Sequence, residues 1–137
     1  MPHNSYHQYH HQLILNLTGA IKDSHPFNGG TVSELQDEIL KILELLLATT
    51  PDDDMNHHGQ WLTGKIVSGF PHIMPMVPRD LLWYFGGDCL HFLGDEEIQY
   101  FQALEEAFHT TLALTPNDEV DYAQMVKDLN LGKIEHY

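Results

Sequence analysis

Cysteine is almost missing from this chain, with Cys89 the only one in 137 residues. A single thiol excludes an intrachain disulfide framework and a four-cysteine zinc site. It fits a reducing compartment. Basic residues are scarce too: six Lys and Arg stand against 20 Asp and Glu, a formal net charge of -14. A surface this acidic repels phosphate, so no direct binding to nucleic acid or to an anionic membrane is expected. Long apolar stretches are lacking. The longest aliphatic run, Leu45-Leu46-Leu47-Ala48, falls far short of the roughly 20 residues that cross a bilayer. The start, Met1-Pro2-His3-Asn4-Ser5, has neither a basic region nor an apolar stretch, so no leader is expected and the expected location is cytoplasmic. Alternating runs of Val, Ile, Thr and aromatics are missing as well, which argues against strands. No Ser-based elbow, phosphate loop or dinucleotide fingerprint occurs.

What is present points to a folded helical protein. Apolar residues make up 42% of the chain, too many for disorder at this charge. The length suits a single domain, residues 1–137, with its own hydrophobic core. The 11 histidines are an excess, and their titration shrinks the net charge below about pH 6.5.

The spacing predicts an all-α fold, a bundle-like array of five or six helices. A first helix over 5–22 carries Leu13, Ile14, Leu17, Ala20 and Ile21 at helical intervals. Its Tyr-, His- and Gln-rich start, within residues 1–12, is expected to fray. Thr31 and Glu34 read as a capping box for a second helix, with Leu35, Ile39, Ile42, Leu43 and Leu46 on one face. Asp52-Asp53-Asp54-Met55-Asn56 reads as an acidic loop before a shorter helix around Trp61, Leu62, Ile66 and Val67. Asp54 to Gly59 begins like an EF-hand. Lys65 stands where the bidentate Glu is required, and the match fails.

The stretch Phe70-Pro71-His72-Ile73-Met74-Pro75-Met76-Val77-Pro78 holds three prolines. They argue against a helix, so residues 70–78 are expected to cross the body in extended form. Pro78 then suits the first turn of a short helix that Gly86-Gly87 stop. Asp95, Glu96 and Glu97 suit the positive end of a fifth helix. Thr115-Pro116-Asn117-Asp118 reads as the opening of the last one. Trp83, Tyr84, Phe85, Phe92, Tyr100 and Phe101 are expected near the centre of the fold.

Two functional readings follow. The first is a small acidic protein–protein interaction or regulatory module without catalytic activity, with Phe70, His72, Met74 and Met76 at the contact. Proline-rich backbone loses little entropy on fixing, and methionine adapts to varied partners. The charge favours a basic partner. The second is a metal-dependent enzyme or metal-binding protein. His72, Asp88 and His91 are its candidate ligands, joined by His57 and His58, and the metal is divalent, such as zinc. In that reading Asp88, Cys89 and His91 are the candidate catalytic groups: Asp88 and His91 are three positions apart, and Cys89 lies between them. His7 and His11, four apart, read as an exposed pair rather than a built site. No cofactor is expected under the first reading.

Overall fold

The apolar periodicities become six α-helices and two short 3₁₀ helices among the described residues. The computed structural model describes residues 4–30, 32–48, 53–114 and 120–135. The α-helices are α1 (Asn4–Lys22), α2 (Glu34–Ala48), α3 (Asp53–Gly69), α4 (Arg79–Phe85), α5 (Asp95–Leu114) and α6 (Tyr122–Glu135). The 3₁₀ helices, Pro71–Met76 and Gly87–Phe92, flank α4. No strand occurs among the described residues, and the fold is all-α. None of the described helices is long and apolar enough to cross a membrane.

The chain divides into two compact units, one of residues 11–93 and one of residues 1–10 with 94–137. In the first, α3 packs against α2, α4 and both 3₁₀ helices. Ile39, Ile42, Leu43 and Leu46 of α2, Leu62 and Ile66 of α3, Ile73, and Leu81, Leu82 and Phe85 of α4 are all at most 1% exposed. Burying each such side chain contributes about 1.5–3 kcal/mol. In the second unit, α5 packs against α6, and Phe101, Leu104, Phe108, Tyr122 and Val126 are buried.

Several local expectations change. Thr31 lies outside the described residues. The described cap of α2 is Ser33, whose Oγ accepts the Gln36 amide at 3.2 Å while Gln36 Oε1 accepts the Ser33 amide at 2.8 Å. This is the same reciprocal box two residues later, with Gln in the place of Glu. Asp54, Met55 and Asn56 are not a loop but the start of α3. Carboxylates are favoured at a helix N-terminus, and Met55 is buried there. The start of α1 is helical from Asn4 rather than frayed, because Tyr6 and His10 are held in a ring cluster.

The last helix begins at Tyr122, behind Asp121, whose Oδ1 accepts the Gln124 amide at 3.3 Å. Residues 115–119 lie outside the described part. Of the six aromatics between Trp83 and Phe101, Phe85 is buried in the first unit and Phe101 in the second, while Phe92 is 40% exposed rather than central.

Candidate functional site

Residues 71–76 are helical, not extended, because a 3₁₀ turn tolerates proline at these two places. Pro71 occupies the first helical position, where no amide donor is needed. Pro75 removes one bond from a segment too short to depend on it. The Ile73 amide bonds to the Phe70 carbonyl at 2.9 Å, and the Val77 amide to that of Met74 at 3.0 Å. Ile73 and Val77 point inward and are buried. Pro71, His72, Pro75 and Met76 stay exposed, and Phe70 and Met74 are half-buried. The segment is thus pinned by two aliphatic anchors and presents a proline-braced outer face.

The loop after α1 lies along this segment. The Phe27 and Phe70 rings are 5.0 Å apart. His72 Nε2 lies 2.9 Å from the His25 carbonyl, which fixes that nitrogen as a donor since a carbonyl only accepts. Ser24 Oγ reaches Met76 Sδ at 3.4 Å. As the loop advances from Ser24 to Phe27, its partners retreat from Met76 to Phe70, so the two strips run antiparallel. The loop is itself braced, with the Asn28 amide on the Ser24 carbonyl at 3.0 Å and Ser24 Oγ on that of Ala20 at 2.6 Å. Turn residues alone mark 23–30 as a loop and say nothing of this contact. The run His25-Pro26-Phe27, with an aromatic and a proline beside two glycines, was the available signal.

Beyond the proline segment, α4 and the second 3₁₀ helix form a corner over α3. Arg79 donates from Nη2 to the Phe92 carbonyl and ties the ends of the corner together. Gly86 and Gly87 take φ of 69° and 54° at its bend, the left-handed region that glycine enters at little cost. Gln60 Nε2 donates to the Phe85 carbonyl at 3.1 Å, beneath Gly87. Burial raises the Tyr84 phenol to about 12.

This corner carries the sequence's candidate catalytic groups. Cys89 is buried at 1% exposure. Burial pushes its thiol up, against the opposing hydrogen bond with Thr63, and the Asp88 charge pushes it the same way as burial. A buried thiol held in the protonated form is a poor nucleophile. Asp88 and His91 are exposed on the 3₁₀ helix, where residues three apart eclipse. His57, half-buried His58 and His72 lie on α3 and the proline segment. Among the described residues, no group of three or more His, Cys, Asp or Glu side chains is placed to hold a metal ion. The expected set His72, Asp88 and His91 is therefore not assembled. One reason is visible at His72, whose Nε2 already faces a backbone carbonyl.

Charge is distributed unevenly around these elements. All 20 carboxylate residues fall outside Met55–Arg79, a stretch that contains Lys65, Arg79 and three histidines. Lys65 Nζ bridges to Glu38 at 3.1 Å and lies 5.7 Å from the Trp61 ring. Trp61 is 48% exposed. The proline segment lies within this acid-free stretch.

A comparison with known families matches residues 2–136 to the family described as PA2817-like. The chain belongs to the PA2817-like family. No curated protein and no solved structure matches it. The PA2817-like match takes in α1 through α6 and includes both the proline segment and the glycine corner.

Proposed function

We propose that this chain is a protein–protein interaction module without catalytic activity, and that its partner contacts Pro71, His72, Pro75 and Met76. The observation that carries this reading is the anchored outer face. Ile73 and Val77 are buried while their neighbours are exposed, so the backbone is fixed before any partner arrives. A surface ordered in advance avoids the conformational part of the entropic cost of binding. Met76, 41% exposed, offers a polarizable side chain that adapts to a partner's contour. The segment itself contributes no carboxylate to the contact. The chain's net charge of -14 favours a basic partner at long range, and association slows as salt rises.

The test is site-specific photo-crosslinking from position 76, compared with exposed Gln102 on α5. The expected result is one protein captured from position 76 and not from 102. Its capture, now from Pro75, is lost in Met76→Asp while the melting temperature is unchanged. Equal capture from both positions, or capture that survives Met76→Asp, overturns the reading.

A further inference from the structure

We propose that the first turns of α1 form an acid-released clasp on the α5–α6 pair, with His10 as its catch. His10 is 1% exposed. Three tyrosine rings enclose it: Tyr6, Tyr9 and Tyr122, with centroids at 4.6, 5.2 and 5.5 Å. Phe108 closes the cluster, 5.8 Å from Tyr6 and 5.3 Å from Tyr122. The cluster thus joins α1, α5 and α6 within one unit of the chain. Ser5 strengthens the same junction, since its Oγ donates to the Val120 carbonyl and accepts the Tyr122 amide.

The chemistry of His10 makes this junction conditional. Its Nδ1 lies 2.7 Å from the Tyr6 carbonyl, so Nδ1 carries the hydrogen and the neutral ring keeps Nε2 unprotonated. Acid must place the second proton on Nε2. That step creates a cation inside a ring-lined interior, a costly state. The bond to the Tyr6 carbonyl favours the charged ring, and burial outweighs it. On α1, His7 stands beside Tyr6 at 5.2 Å, and its charge opposes a second cation. On α5, the Glu105 carboxylate takes the Tyr6 hydroxyl at 2.7 Å, and His109 lies 5.9 Å from Phe108. On α6, Tyr122 presents a phenol ring and Asp121 is exposed. Burial accordingly holds the His10 imidazole down to about 4. The released form pays no such cost, so protons favour it. Its population rises about tenfold for each pH unit below the ordinary histidine range.

Nuclear magnetic resonance on the full chain tests the clasp between pH 7.5 and 4. Ring signals of Tyr6 and Tyr122 and amide protection over 6–10 are followed, with amides of Ile42 and Leu43 as the internal reference. The expected result is loss of ring dispersion and of protection at the clasp, about tenfold per pH unit below about 6.5, while the reference amides stay protected. H10F fills the ring-lined site without accepting a proton, and it is expected to keep protection through the same range. An equal pH response in H10F overturns the clasp, as does simultaneous loss at the reference amides. Should H10F not fold, the His10 resonance of the wild-type chain decides the matter. Titration near the ordinary value with tyrosine contacts intact overturns the proposal, and protonation concurrent with their loss supports it.

Discussion

Single atoms decide the packing at the glycine corner. A Cβ on Gly59 would sit 2.1 Å from Phe85 Cδ1, and Phe85 is 0% exposed, so the ring has nowhere to retreat. Alanine is favoured over glycine inside a helix by up to about 1 kcal/mol. Overpacking costs about 1–3 kcal/mol and wins. Gly59→Ala is expected to lower the urea midpoint, an outcome opposite to helix propensity. The proline segment supplies a second contrast. Ile73→Ala is expected to cost about 2–5 kcal/mol through the cavity it leaves. Met76→Ser, at an exposed position, is expected to stay within about 0.5 kcal/mol. Equilibrium unfolding of the two variants side by side checks this, and equal losses would remove the distinction between anchor and face.

At the scale of elements, helix ends obey local rules that operate at positions other than the first plausible ones. Ser33 and Gln36 share two reciprocal bonds at the start of α2. Ser33→Ala is expected to cost about 1 kcal/mol, seen as a lower urea midpoint at unchanged slope. An unchanged midpoint would show that the box contributes nothing in water. At α5, Glu97 Oε1 accepts the Gly94 amide at 3.0 Å, the half of a capping box that survives when the cap has no side chain. The 3₁₀ helix at 71–76 shows why proline count alone misleads. Proline forbids the α-helical interior, where its ring clashes with the preceding turn. A six-residue 3₁₀ helix, about two turns, has few interior bonds for Pro75 to break.

For the whole molecule, acid acts on stability through His10. Its folded value of about 4 lies below the ordinary 6.5. Above pH 6.5 neither the folded nor the unfolded chain carries the proton, and the contribution is fully present. Between 6.5 and about 4 only the unfolded chain takes it up, and the contribution is lost as pH falls. Some two and a half pH units at about 1.4 kcal/mol each amount to roughly 3–4 kcal/mol. Urea midpoints measured at pH 7, 5.5 and 4.5 are expected to fall more steeply in the wild-type chain than in His10→Phe. Parallel curves would assign the acid sensitivity to other groups.

The amino-acid sequence by itself determined the all-α fold and the approximate extent of most helices. Those follow from apolar residues at helical intervals and from glycine stops, which act within a few turns of chain. It also marked Leu35–Leu46 as the apolar face of α2 and the proline segment as unusual. Only the tertiary structure decided how that segment is used. Whether Ile73 is core and Met76 surface depends on which side α3 and the Ser24–Phe27 loop cover, and neither contact is local in sequence. Tertiary packing likewise turned the expected fraying start of α1 into a buried cluster, because Phe108 and Tyr122 arrive from about 100 residues away. It left His72, Asp88 and His91 unassembled for the same reason. Ligand spheres require convergence in space, and spacing along a chain does not specify convergence between separate elements.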